Sequence, residues 1–297
     1  MVYCCSCNYP SNEYIELLGQ CFCKQCYNHL RHCDICGSKV SFSNYAWHND
    51  KRYCPICFKK AYNKYPAHYN GKTRFFYMRK RKNPLYIGVE LEIQGAESSI
   101  FAKNIFEEFP QSVIVKVDDS ISYERGCEIV SNPMTMEYTL NQNIWKRIFD
   151  LMKTYQMNNI SGCGLHFHLD RKYLEKYNLI AKIDYIVNNF YRYWEEIGGR
   201  RICGSDWCEL AVKDIDEWGK NTYDDRYRAV NLTNKNTVEL RFCKSTDDYN
   251  VFMNRMLNIY LLIQFCKNKN VHFNMDEKEF VKKFEKFKEK EMKKFDF

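Results

Sequence analysis

Three short stretches alternate between apolar residues and residues able to ligate a metal or hold phosphate. In Ile87-Gly88-Val89-Glu90-Leu91-Glu92-Ile93 the apolar side chains take the odd positions and two carboxylates the even ones. Leu165-His166-Phe167-His168-Leu169-Asp170 places two imidazoles and a carboxylate on the even positions, and Val238-Glu239-Leu240-Arg241-Phe242 pairs Glu with Arg in the same way. Residues i and i+2 share one face of a strand, so each stretch predicts a strand with one greasy face and one reactive face. A solvent-facing sheet also alternates, but with Lys, Thr, Ser and Gln outside. Glu-x-Glu and His-x-His point instead to a charged, concave face. Glu128, within Cys127-Glu128-Ile129-Val130-Ser131, offers a further strand and carboxylate.

Four carboxylates (Glu90, Glu92, Glu128, Glu239) with one or two imidazoles suit a hard octahedral ion, Mg²⁺ or Mn²⁺. A zinc hydrolase built on His-x-His draws on further histidines, and beyond His68 the chain has only His166, His168 and His272. Arg228 and Arg241 are suited to phosphate oxygens, which a guanidinium fork binds in bidentate fashion. Together these groups describe a nucleoside triphosphate site that needs no glycine loop. Gly71-Lys72-Thr73 resembles the end of such a loop, but Pro66 stands where its first glycine belongs, so this is a turn.

A second chemistry lies at the N-terminus. Ten of the 16 cysteines fall within the first 57 residues, and eight form C-x-x-C knuckles: Cys4/Cys7, Cys23/Cys26, Cys33/Cys36 and Cys54/Cys57. Two knuckles separated by about 15–20 residues match a Cys4 zinc site. The pattern repeats at a spacing near 30 residues, which predicts sequential pairing in a LIM-like, treble-clef tandem holding two structural Zn²⁺. Cys5, Cys21, His29, His32 and His48 are read as non-ligands. The first 82 residues carry 14 Lys or Arg against four Asp or Glu. Protein recruitment is the first reading of this module. Nucleic-acid binding is the second, resting on Arg79-Lys80-Arg81-Lys82 and Arg74-Phe75-Phe76-Tyr77.

The elements that must position these residues follow from composition and period. The chain of 297 residues is long enough for a large domain and a smaller module. Residues 1–65 read as the zinc module, 66–84 as a basic linker and 85–297 as an α+β catalytic domain, with its core in 85–250 and C-terminal helices in 248–297. Helical periodicity is expected over 135–155 (Leu140, Ile144, Ile148, Leu151), over 179–197 and over 251–266. Phe190, Tyr191, Tyr193 and Trp194 are expected in the core. The tail from Asp276 places Phe280, Phe284, Phe287 and Phe295 near helical spacing, as a helix docked on the domain would. Cys127, Cys163, Cys203, Cys208, Cys243 and Cys266 are expected to be buried thiols. No secretory leader and no apolar run of about 20 residues stands out, so a soluble, cytoplasmic protein without membrane contact is expected.

Six motifs then occur in a recognisable order: Gly88-x-Glu90-x-Glu92, Asp118-x-Ser120, Glu128-x-x-Ser131-x-Pro133, Cys163-Gly164-Leu165-His166-x-His168, Arg226-Tyr227-Arg228-x-x-Asn231 and Thr237-Val238-Glu239-Leu240-Arg241-Phe242. Over residues 85–250 the chain resembles the amidoligases, a branch of the carboxylate–amine ligase superfamily that includes glutamine synthetase and glutamate–cysteine ligase. Asp119 stands where that family often has Gly. The resemblance implies a curved antiparallel sheet, backed by helices, that binds Mg-ATP on its concave face. It implies metal ligation by Glu90, Glu92, Glu128 and Glu239, and His166 beside the metal and phosphates. Arg228 and Arg241 would lie on the transferred phosphoryl group, and Asp118 beside the amine. His168, Arg226 and Asn231 stand in the same motifs and complete the nucleotide-binding set. The implied reaction activates a carboxylate as an acyl phosphate, which an amine then attacks. The resemblance leaves the substrate open among a metabolite, a peptide and a protein. Two other readings are a non-catalytic zinc adaptor with a degenerate ligase fold and a metallohydrolase using the same face without ATP.

Overall fold

The computed structural model describes residues 2–4, 6–7, 10–17, 20–40, 46–48, 51–54, 57, 73–79, 82–116, 121, 126–214, 216–221, 226–267 and 271–293. It divides into two compact units, Met1–Lys64 and Tyr65–Phe297.

The first unit is a set of short antiparallel hairpins: β1 (Val2–Tyr3) with β2 (Pro10–Ser11), β3 (Tyr14–Leu17) with β4 (Gln20–Cys23), β5 (Arg31–His32) with β6 (Lys39–Val40), and β7 (Ala46–His48) with β8 (Lys51–Tyr53). A five-residue helix, Lys24–Asn28, follows β4. Cys4, Phe22 and Leu30 form a small buried cluster. Val40 and Tyr53 are buried as well, and a unit of this size draws on staples in addition to its apolar residues.

The second unit contains a six-stranded sheet in which every neighbouring pair is antiparallel. Its strands are β9 (Ile87–Gln94), β10 (Val113–Lys116), β11 (Gly126–Ser131), β12 (Gly164–Asp170), β13 (Val230–Asn231) and β14 (Thr237–Lys244), in the order β10-β11-β9-β12-β14-β13. The odd positions of β9 and β12 (Ile87, Val89, Leu91, Ile93, Leu165, Phe167, Leu169) are buried, as are Val238, Leu240 and Phe242 of β14. Helices Ser98–Glu108, Ile144–Thr154, Ile180–Asn189, Tyr191–Gly198 and Tyr249–Cys266 contribute to the same core. The period-two reading of the sequence is thus realised as one apolar face packed on helices and one polar face.

Two of the expected helices are interrupted. The stretch 135–155 breaks at Asn143, whose backbone is left-handed (φ 52°), giving helices Met136–Gln142 and Ile144–Thr154. Asn tolerates that conformation better than most residues. The stretch 179–197 breaks at Phe190 (φ −111°, ψ 38°), whose ring is buried in the core. Among the expected core aromatics, Phe190 and Trp194 are buried and Tyr191 and Tyr193 pack against the cluster. The tail forms helix Glu277–Met292, capped by Asp276. Phe280 and Phe284 are fully buried, and Phe280 stacks on Phe190 at 4.7 Å, so the tail docks as expected. Phe295 lies outside the described residues. Five of the six later cysteines are buried, but Cys203 is exposed: it sits in a turn beyond the helix rather than in an element with a core face. In the stretch read as linker, Phe76 exchanges backbone hydrogen bonds with Pro133 and Thr135, each at 3.0 Å, so residues 73–79 lie along the sheet unit. No helix among the described residues is long and apolar enough to cross a membrane.

Candidate metal centres and the polar sheet face

Strand register sorts the polar face into transverse rows. Lys116, Glu128 and Glu92 lie opposite one another across β10, β11 and β9. The next row runs Ile114, Val130, Glu90, His166. The third runs Gly88, His168, Glu239, Asn231 across β9, β12, β14 and β13. Residues dispersed between positions 88 and 239 of the sequence thereby meet in one patch.

The centre of the patch is the trio Glu90, His168 and Glu239, whose nearest ligand atoms all lie within 4.8 Å of one another. His168 Nε2 is 3.2 Å from Glu90 Oε2 and 4.0 Å from Glu239 Oε1. His166 Nδ1 stands 3.5 Å from Glu239 Oε1 and 3.7 Å from Glu90 Oε2. Both nitrogens, His166 Nδ1 and His168 Nε2, are buried and have no hydrogen-bond partner. These are close approaches without the alignment of a hydrogen bond. A buried polar atom left unpaired is costly, and a cation between the carboxylates would satisfy both.

The other ring atoms are fixed. His168 Nδ1 lies 3.2 Å from Thr237 Oγ1, a partner that leaves Nε2 facing the carboxylates. Asn231 Nδ2 donates to Glu239 Oε2 at 2.7 Å. Gly164 N–H donates to Glu92 Oε2 at 2.6 Å, and Ser245 Oγ donates to the Glu92 carbonyl. Gly164 is required here, because a Cβ would lie 2.5 Å from His166 Nε2. A bulge between Leu165 and Phe167 shifts the β12–β14 register beside His166, and Phe242 and Cys243 are consecutively buried there. Bulges of this kind re-aim side chains beside functional sites.

The electrostatics are unbalanced. Lys116 Nζ reaches Glu128 Oε2 at 3.4 Å and Glu90 Oε1 at 3.9 Å, and Arg241 pairs with Glu239. With both imidazoles neutral, as metal ligation requires, four carboxylates against these two fixed cations leave an excess of two negative charges, the deficit that one divalent ion fills. Without the ion, a proton on His168 makes up part of it. Burial pushes the Glu90 carboxyl up, but its contacts with His166 and His168 and the charges of His168 and Lys116 outweigh this and hold it well below the usual carboxylate range. Burial pushes the His168 imidazole down, and the neighbouring Glu90, Glu239 and Glu128 carboxylates raise it instead.

The arginines divide. Arg241 lies on the face, with its guanidinium 5.7 Å from the Tyr227 ring. Arg228 Nη1 pairs with Glu209 Oε2 at 2.6 Å and donates to the Leu210 carbonyl at 2.9 Å. Arg226 donates to the Tyr227 hydroxyl at 2.7 Å and lies over its ring. Asp118 lies outside the described residues. Sequence reasoning gave no role to Lys116, Thr237, Glu209 or the Gly164 amide. Thr237 and Gly164 stand in the ordered motifs, and Lys116 is the polar end of the alternating Val113-Ile114-Val115-Lys116.

In the N-terminal unit, Cys4, Cys7, Cys23 and Cys26 converge, as do Cys33, Cys36, Cys54 and Cys57, each set within 4.8 Å. This is the sequential pairing expected, and both clusters are compatible with structural zinc. Cys57 N–H donates to Cys54 Sγ at 3.3 Å, and Gly37, at φ 72°, closes the turn after Cys36. The Ser38 hydroxyl and amide bring the Cys36 thiol down to about 6, while the Cys36 sulfur and burial push Cys57 up to about 12. Of the spare residues, Cys21, His29 and His32 belong to neither cluster. Cys5 and the side chain of His48 lie outside the described residues.

No known family model matches this chain, and no curated protein matches its sequence. Its functional reading therefore rests on its own residues and their arrangement.

Proposed function

We propose that the polar sheet face is a divalent-metal and nucleotide site, and that the protein is an ATP-dependent carboxylate–amine ligase of the amidoligase kind. The observation that carries this reading is the pair of buried imidazole nitrogens without hydrogen-bond partners, set between Glu90 and Glu239. Order of motifs and antiparallel topology support the same reading. In it, Glu90, His168 and Glu239 hold Mg²⁺ or Mn²⁺, with Glu92 and Glu128 beside them. Bound there, the ion supplies charge neutralisation for transfer of the γ-phosphoryl group to a carboxylate.

The chain's own groups do the rest. Asn231 and Thr237 orient Glu239 and His168, and Arg241 offers a guanidinium to phosphate oxygens. Arg228 would join it only by leaving Glu209, a pair that a phosphate can replace because Glu209 is half exposed. Asp118 is assigned the proton of the attacking ammonium, which has no lone pair until it is removed. The product is an amide, peptide or isopeptide bond. The tandem zinc module is assigned to recruitment of a substrate or protein partner, with nucleic acid as the second reading.

Calorimetric titration with ATP in the presence and absence of Mg²⁺ tests this. Metal-dependent binding that disappears in Glu90→Ala and weakens in Arg241→Ala supports it. Absence of nucleotide binding defeats it. A two-carboxylate, one-imidazole trio is also a hydrolase donor set, so hydrolysis of an amide or ester without nucleotide would favour the metallohydrolase instead.

A further inference from the structure

The polar face has two unlike ends. On one side of Glu90 lie Glu92, Glu128 and Lys116, all charged. On the other, past Gly88 and His168, lies a cavity of about 390 Å³ walled by Phe75, Tyr86, Ile114 and Val130 and floored at Gly88. Glu90 and His168 also line it, so it opens onto the metal trio. The Phe75 and Tyr86 rings meet edge to face at 4.9 Å. Its volume falls at the small end of the range of about 300–1,000 Å³ typical of ligand sites.

The inner polar groups of its wall are already engaged by the protein, while Thr73, Lys172 and Asn236 line its exposed rim. Asn132 Oδ1 accepts from the Arg74 amide and its Nδ2 donates to the Gln111 carbonyl. Ser131 Oγ accepts from the Val89 amide, Thr237 Oγ1 meets His168 Nδ1, and Asp170 Oδ1 accepts from the Lys172 amide. A nucleobase is recognised through directed hydrogen bonds along its edge, and the inner amide of Asn132 could offer them only by giving up its bonds to Arg74 and Gln111. An apolar group breaks none.

We propose that this cavity holds the apolar body of the carboxylate substrate, with its carboxylate directed at the Glu90–His168–Glu239 centre. The substrate class is then an aromatic or branched aliphatic acid, and glutamate, whose second carboxylate would face Lys172 at the rim, is the competing class. This inference rests on the ligase reading for the identity of the headgroup and on the cavity for the identity of the body.

The test uses the zinc-loaded full chain with Mn²⁺ and phenylpropionate as probe, followed by calorimetry, with glutamate and adenosine as comparators. Phenylpropionate is expected to bind at least about tenfold more tightly than glutamate, and adenosine is expected not to displace it. Gly88→Leu projects a side chain into the cavity from a position where a Cβ comes no closer than 3.5 Å to His168 Cβ. It should weaken phenylpropionate about tenfold. Phe75→Ala removes a wall whose ring is 54% exposed, so the fold survives it, and should also weaken the probe. Preference for glutamate, displacement by adenosine, or unchanged affinity in Phe75→Ala would overturn the proposal. Mn²⁺ binding without phenylpropionate binding defeats the substrate class alone, whereas failure to bind Mn²⁺ defeats the metal centre beneath it.

Discussion

Removing a cation from the sheet face should strengthen its hold on a divalent metal. Lys116 Nζ lies 3.9 Å from Glu90 Oε1, and a metal–carboxylate bond adds about 2.1 Å, so ammonium and metal would stand about 6 Å apart. Their repulsion is about 2.8 kcal/mol at an effective dielectric constant of about 20. The lysine side chain is 27% exposed, and solvent screening reduces that to about 1–2 kcal/mol. Lys116→Met should therefore tighten Mn²⁺ by about five- to thirtyfold. Free Mn²⁺, measured by electron paramagnetic resonance during a titration, gives the affinity directly. The same variant should lose stability without metal, because Glu90 and Glu128 keep their charge with one partner fewer. Weaker or unchanged Mn²⁺ affinity in Lys116→Met would refute the charge count on which the site is built.

Other expectations follow from single contacts. Asn231→Ala removes the hydrogen bond that orients Glu239 and should weaken Mn²⁺ about 10- to 100-fold, read by the same titration. Replacing Cys4 and Cys7 by Ser should reduce bound zinc from two ions to one by native mass spectrometry and unfold the part of the N-terminal unit around Cys4, Phe22 and Leu30, while the sheet unit keeps its own thermal transition. Asn143→Gly relieves a left-handed residue between two helices and should raise stability by up to about 1 kcal/mol in urea unfolding. Phe280→Ala empties a fully buried site against Phe190 and should cost about 3–5 kcal/mol in the same assay.

What the sequence made legible was local. Alternation named the even positions of β9 and β12 and the odd positions of β14 as one face, because strand geometry ties residue parity to direction. Knuckle spacing likewise named each zinc set, since two sulfurs three residues apart must serve one ion. What escaped depended on register. Nothing in Val113–Lys116 reveals that Lys116 will stand opposite Glu128, and nothing near Thr237 shows that its hydroxyl will meet His168. The breaks at Asn143 and Phe190 escaped as well, because apolar period continues through a kink when both halves pack on the same core. The β14 bulge is visible only as two consecutive buried residues, Phe242 and Cys243, whose burial is a tertiary fact.

The metal centre can be interrogated at the atoms themselves. Electron spin-echo modulation of Mn²⁺ bound to the zinc-loaded protein reports whether an imidazole nitrogen is directly ligated. Ligation at this centre predicts a ¹⁴N coupling that is reduced in His168→Gln, lost when His166 and His168 are both replaced by Gln, and retained in Thr237→Ser. A bound Mn²⁺ with no nitrogen coupling, or one whose coupling is unchanged in His168→Gln, would contradict the assignment of Glu90, His168 and Glu239 as the centre of this protein's chemistry.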